Sequence, residues 1–373
     1  MLFYILLFLM LFLILMLAPN LKNKDAEIVY KVLVVFMTAL AVFRNNIGLD
    51  YYEYQKLYDI VQFDIDNLRI EPVFSLICEL LRYFDFKSQM MFAVYAVATM
   101  FFIYKGCNYY SKGNYRVGLI FIAVYFLNNM FWLGSLNLIR QFLAIAIVFY
   151  ASKYIFECKS KKFITWTAVA ALCHYSALIA LSFHLINKID IKRKTCFIVA
   201  LSLIFLSESG IYALIFEKIF LMLGDKLGAY QIYFTTVFMR DSFLQGGSGL
   251  GVMLQLSVYL FIALIADMKD QIQKFAVNGI FMGVIIWIIF CNVDPMLRFR
   301  LYYWIFFPLI IAFNLNTKFS LKKILCVYSV VAILVLSISN INSIQDIDRK
   351  KKQDIWHNTN TNIEYEFTAD FIK

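Results

Sequence analysis

Long apolar blocks separated by short polar runs make up most of the chain. They fall roughly at 2 to 18, 28 to 43, 89 to 104, 117 to 133, 138 to 156, 163 to 186, 194 to 207, 250 to 266, 274 to 291, 299 to 314 and 322 to 339. Most approach the length of about 20 residues that a helix needs to span a hydrocarbon core. Within each block the apolar residues run on continuously. Strands of an outer-membrane barrel would instead alternate over about ten residues, so that architecture is excluded. Two weaker blocks, 72 to 84 and 211 to 223, read as re-entrant or interfacial. The pattern predicts an all-α polytopic membrane protein with about 11 to 13 transmembrane or re-entrant helices. It predicts one transmembrane domain over 1 to 340 and a polar tail over 341 to 373. The first eighteen residues lack a basic leader and a small-residue cleavage site, which predicts a retained helix. No internal repeat is visible, so the inverted-repeat design of many transporters finds no support.

Composition agrees with lipid as the solvent. Of 373 residues, 62% are hydrophobic and 16% charged, against about 45–50% apolar and about 25% charged in soluble domains. The net charge of +10 is carried by short runs between apolar blocks, with no basic soluble face for nucleic acid. It reports topology instead. By the positive-inside rule, Lys105/Lys112/Arg116, Lys159/Lys161/Lys162, Lys192/Arg193/Lys194 and Lys318/Lys322/Lys323 face the cytoplasm. Segment 44–71 carries Arg44, Lys56 and Arg69 against Asp50, Glu53, Asp59, Asp64, Asp66 and Glu71, which places it outside. Segments 207–249 and 292–300 are the other expected external loops. Block 163–186 has basic runs at both ends, so either the rule fails there or the block is a helical hairpin with His174 near its turn. The seven cysteines form no CxxC pair and have no histidine at ligand spacing, so they read as small apolar residues.

Four constellations carry candidate chemistry. Arg44 to Tyr54 (RNNIGLDYYEY), followed by Glu71-Pro72, gathers a cation, carboxylates and tyrosines at a membrane boundary. It offers charge, acid/base and sugar-stacking capacity through Arg44, Asp50, Tyr51, Tyr54 and Glu71. Arg140-Gln141 opens an apolar block, where a guanidinium either snorkels to the interface or enters a cavity that an anion could share. His174 lies within an apolar block, where it is either a packing hydrogen-bonder or a site residue. Arg298 and Arg300, beside an Asp294-Pro295 turn and ahead of Tyr302-Tyr303, suit a diphosphate because each guanidinium can hold separate oxygens. On the topology above, all four meet at the external face.

The chain carries no P-loop, no dinucleotide fingerprint and no HExxH motif, which argues against an ATP-driven pump and a soluble sugar-nucleotide transferase. A substrate already on lipid is implied, with arginines stabilising a diphosphate leaving group and no metal or cofactor called for. In their order along residues 30 to 310, RNNIGLDYYEY, Glu71-Pro72, LIRQFLAIAI (138–147), CHYSALI (173–179) and RFRLYY (298–303) resemble the EpsG-type, Wzy-like bacterial polysaccharide polymerases. The resemblance implies a glycosyltransferase of the cytoplasmic membrane, within reach of the GT-C-like architecture. Its substrate would be an undecaprenyl-diphosphate-linked oligosaccharide, and its product O-antigen, capsule or exopolysaccharide. It implies that Arg44, Arg140, Arg298 and Arg300 hold diphosphates, that Asp50, Glu71 or His174 is the base, and that a separate chain-length regulator is a partner. Gln141, Tyr51, Tyr54 and Tyr303 are further substrate-binding candidates. An O-antigen ligase is the alternative on the same substrate, and a lipid-linked-oligosaccharide flippase is the non-enzymatic one. The modest 207–249 segment argues against the first, and the gathering of charge at block ends against the second.

Overall fold

The computed structural model describes residues 2–48, 50–64, 70–190, 250–290, 294–316 and 321–339, with scattered positions between 192 and 218. Among these the chain is helical, with no strand. The expected block at 211–223, most of 194–207, the 207–249 loop and the 341–373 tail lie outside the described residues. Among the described residues, four stretches are long and apolar enough to cross a membrane: Leu2–Asn20, Ser88–Ser111, Ile139–Phe156 and Gln271–Phe290. With these features the chain is an all-α polytopic membrane protein.

The helices largely follow the apolar blocks, and their differences from them have local causes. Helix α1 is Leu2–Leu17, and α2 (Asn23–Val42) begins ahead of its apolar block, with Asp25 in its first turn. There a carboxylate complements the helix dipole. Helix α3 is Tyr51–Ile60 and α4 is Pro72–Tyr83. At 1.5 Å per residue α4 rises about 18 Å, too short to cross. Helix α5 (Ser88–Ser111) ends where Lys112 and Gly113 both take positive φ. Helix α6 (Tyr115–Leu127) is buried from Val117 onward, the signature of a core helix apolar on all sides. Short α7 (Trp132–Asn137) leads into α8 (Ile139–Ala151), which continues through α9 (Lys153–Phe156).

Helix α10 (Ser160–Cys173) stops at His174, whose backbone is extended. A 3-10 helix (Tyr175–Ser182) and α11 (Phe183–Lys188) follow. The return leg lies back along the outgoing one, with the Phe163 ring 6.2 Å from Phe183 and 5.1 Å from His184. Block 163–186 is therefore a hairpin that turns at His174, which resolves the conflict between its two basic ends. The remaining helices are α12 (Leu250–Ile265), α13 (Gln271–Phe290), α14 (Asp294–Leu297), α15 (Arg300–Trp304), α16 (Phe307–Leu315) and α17 (Leu321–Ser339). The break between α15 and α16 precedes Pro308, which cannot continue the hydrogen-bond ladder.

Cross-links fix which helix ends lie together. At one end, Asn23 Nδ2 donates to the Gly113 carbonyl (3.2 Å) and its Oδ1 accepts from the Tyr115 N–H (2.8 Å). Asn278 Nδ2 donates to the carbonyls of Ile186 and Ile189 at 3.1 and 2.8 Å, tying α13 to the hairpin's return. At the other end lie the loop after α2, the start of α8, the His174 turn and α15. All four chemical constellations thus share one end of the bundle, and the basic runs at 105–116 and 159–162 share the opposite one.

Close helix packing depends on small residues. A Cβ on Gly106 of α5 would sit 2.6 Å from Phe149 Cδ1 and 3.4 Å from Tyr150 Cα of α8. Gly106→Val is expected to destabilise the bundle by about 1–3 kcal/mol through overpacking. Purified protein should melt several degrees lower, and an unchanged melting temperature would contradict the α5–α8 packing.

Candidate functional site

Glu71 stands immediately before α4, where Pro72 at the first helical positions starts the helix and the Glu71 carbonyl accepts from the N–H groups of Phe74 (3.0 Å) and Ser75 (3.3 Å). Its carboxylate turns inward and the residue is only 4% exposed. Arg140 Nη1, from the first turn of α8, donates to Oε2, and Nδ1 of His174, at the hairpin turn, pairs with Oε1. Both carboxylate oxygens are thus engaged. The Arg140 guanidinium also lies 5.1 Å from the Phe74 ring and 5.7 Å from Tyr54, so aromatic faces wall the ion pair. Burial pushes the Glu71 carboxyl up, but Arg140 and His174 outweigh it and hold it down at about 2. An isolated buried carboxylate would take up a proton instead.

The loop after α2 is braced against α7. Arg44, 3% exposed, donates from Nη1 to the Leu136 carbonyl, with its guanidinium 4.6 Å from the Phe92 ring. Gly48 has φ +112°, and a Cβ there would meet the Leu136 carbonyl oxygen at 2.8 Å, so both conformation and space demand glycine. The Asp50 N–H donates to Asn137 Oδ1 (2.9 Å), placing Asp50 at the start of α3 beside the end of α7. Tyr51 stacks on Phe92 at 4.7 Å and its hydroxyl donates to Gln89 Oε1 (3.2 Å). Gln89 Nε2 in turn donates to the carbonyls of Val42 (2.6 Å) and Arg44 (3.0 Å).

Segment 298–303 docks beside these groups. Gln141 Nε2 donates to the Arg298 carbonyl (3.3 Å), linking α8 to the entry of α15. The Tyr302 hydroxyl pairs with Ser176 Oγ and that of Tyr303 with Ser182 Oγ, each at 2.9 Å. Two parallel tyrosine–serine contacts therefore seat α15 on the hairpin. Tyr302 reaches the residues next to His174, whereas Tyr303 packs deeper against Phe183, 5.5 Å away. The Arg300 guanidinium lies 5.3 Å from the Trp287 ring and 5.1 Å from that of Trp304.

The structure thus joins Glu71, Arg140, His174 and Tyr54 directly. It sets Asp50, Arg44 and Tyr51 in an adjoining brace, and Gln141 and Arg298 on the flank. Gln89 and Tyr95 escape sequence reasoning. The first is a lone amide at a span boundary, and the second is a mid-span tyrosine that reads as core. The buried Tyr95 hydroxyl has no hydrogen-bond partner among the described residues, and its ring is 6.1 Å from Phe74. No group of three or more His, Cys, Asp or Glu side chains among the described residues is placed to hold a metal ion.

The depressed Glu71 carboxyl sets a pH dependence. Its stabilising contribution is complete above the ordinary carboxylate value of about 4.3 and is lost as pH falls through that range toward 2. The melting temperature of the wild type should therefore fall more steeply between pH 5 and 3 than that of Glu71→Gln. Parallel pH profiles would contradict an ion-paired Glu71.

Searches of curated proteins and of solved structures return no match. The EpsG family model, in contrast, matches residues 27–351, a stretch that includes every residue of the cluster and both of its flanks. Such membership carries a role in polysaccharide biosynthesis in a membrane. With most of its length matched, and with the motifs that suggested the likeness converging on one end of the bundle, the chain belongs to the EpsG family.

Proposed function

We propose that this protein is a Wzy-like glycosyltransferase that polymerises undecaprenyl-diphosphate-linked oligosaccharide repeat units at the outer face of the cytoplasmic membrane. Its product is O-antigen, capsule or exopolysaccharide. The observation that carries this reading is the Glu71 carboxylate shared between Arg140 and His174. With Nδ1 directed to Glu71, the imidazole presents Nε2 as the nitrogen that can accept a proton. A carboxylate held at about 2 is a weak base, so Glu71 serves better to orient His174 than to take the proton itself.

In the reaction an acceptor sugar hydroxyl attacks the anomeric carbon of the donor glycan. The new glycosidic C–O bond forms as the bond to the diphosphate oxygen breaks, the hydroxyl proton passes to His174 Nε2, and undecaprenyl diphosphate leaves. Arg140 and Arg298, from neighbouring elements, supply positive charge for the leaving diphosphate. Arg44, engaged by the Leu136 carbonyl, braces the Asp50 loop, and Tyr54 forms part of the site's aromatic wall. A separate chain-length regulator completes the system as a partner.

The test is the gel profile of surface polysaccharide from a host lacking this gene, complemented with variants. Wild type should restore the ladder, while Arg140→Ala and His174→Ala, at normal protein level, should leave a single repeat unit on the acceptor. His184→Ala, at the far end of the hairpin against Phe163, should restore it. Equal effects of the two histidine variants would remove His174 from the chemistry. Loss of all attached glycan with polymer accumulating on lipid would instead mean a ligase, and an unchanged ladder would return the flippase reading.

A further inference from the structure

The end of the bundle opposite Glu71 holds a second concentration of charge. Arg140 and Lys153 lie on the continuous α8–α9 stretch, about 20 Å apart along the axis at 1.5 Å per residue. Lys153 Nζ lies 3.8 Å from the centre of the Tyr150 ring, 4.9 Å from Tyr154 and 5.8 Å from Tyr109. Lys162 Nζ, from the start of α10, is 5.9 Å from the Tyr154 ring. Lys105, near the end of α5, is 5.5 Å from the Phe101 ring and acts electrostatically on Tyr150. Helix α5 and the α9–α10 corner thus bring three ammonium groups around one pair of tyrosines.

Aromatic faces attract these cations without neutralising them. The nearby carboxylate, Glu157, is engaged by Lys159 at 2.7 Å, and among the described residues no carboxylate lies within ion-pair distance of Lys105, Lys153 or Lys162. Beneath the lysines, Tyr150, Phe102 and Trp166 meet edge to face or tilted, with ring centres 5.6–5.7 Å apart, closing the gap between α5, α8 and α10. Val97, Phe101 and Lys105 follow one another at intervals of four residues on α5, so the lysine caps a single helix face whose two apolar members are about half exposed. Ile164 gives α10 a similar exposed apolar position just inside Lys162.

Uncompensated charge above exposed apolar positions on α5 and α10 matches the two halves of an anionic phospholipid. We propose that Lys105, Lys153 and Lys162 form a binding site for the phosphate headgroup of a diacyl phospholipid, with its acyl chains lying along Val97, Phe101 and Ile164. Basic pockets between helix ends bind such headgroups because each lysine near a charged lipid surface contributes about 1 kcal/mol. The site is distinct from the Glu71 cluster and does not depend on the proposed polymerase activity. Bound there, one lipid would hold α5, α8 and α10 together at the end of the hairpin remote from His174.

Native mass spectrometry of the full-length protein in detergent, titrated with phosphatidylglycerol or phosphatidylcholine, tests this directly. Wild type should retain phosphatidylglycerol selectively, and affinity should fall about fivefold for each lysine replaced by glutamine. Lys105→Arg/Lys153→Arg/Lys162→Arg should keep the selectivity. The exposed Lys162→Gln alone supplies the reading if the triple glutamine variant does not purify. Equal retention of the two lipids, or undiminished phosphatidylglycerol binding in the glutamine variants, would overturn the site. Displacement by free glycerol phosphate at matched concentration would overturn the role of the acyl chains.

Discussion

A carboxylate removed from water in an apolar bundle costs several kcal/mol unless its charge is met and its oxygens are bonded. Glu71 meets that constraint through two groups that belong to different parts of the fold, Arg140 at the start of α8 and His174 at the turn of the α10–α11 hairpin. The arrangement around it follows. Helix α4 must begin at Pro72 so that Glu71 faces inward, α8 must begin close by, and the hairpin must turn at the same depth. Removing Arg140 leaves the buried Glu71 carboxylate with His174 as its one remaining partner, so positional accuracy in the site and local stability have the same origin.

Around this ion pair the bundle is organised with its two ends unlike each other. One end holds the Glu71 cluster, the braced Arg44–Asp50 loop and the α15 segment seated by Tyr302 and Tyr303 on Ser176 and Ser182. The other holds lysines, tyrosines and the tied turns at Gly113 and Ile189. Such a division suits the proposed reaction, in which a lipid-linked diphosphate would need cations and a base at one surface while topology places uncommitted lysines at the other.

Much of the helical order was legible in the sequence because apolar block length is a strong signal in lipid, where backbone groups must be satisfied within each segment. The hairpin was legible as one of two readings, since basic runs flank 163–186 on both sides; the Phe163 contacts with Phe183 and His184 decide between them. The candidate site was legible only as separate members. Glu71, Arg140 and His174 each stood out by type and position, but their pairing spans 69 and 103 residues and no local pattern encodes it. Nor could the sequence distinguish an arginine that satisfies a carbonyl, as Arg44 does at Leu136, from one that faces an anion. Tyr302 and Tyr303 are adjacent in sequence, and only the seating of α15 on the hairpin separates the one beside His174's neighbours from the one packed on Phe183.

The central claim is that Glu71 and Arg140 act as one buried unit, and a double-mutant cycle on thermal stability measures it most directly. Glu71→Gln, Arg140→Gln and the double variant would be compared with wild type as purified proteins at neutral pH. The account predicts that the double variant loses far less than the sum of the single losses, with a coupling of about 1–3 kcal/mol. Additive losses would show that the two side chains do not interact, and would contradict the account.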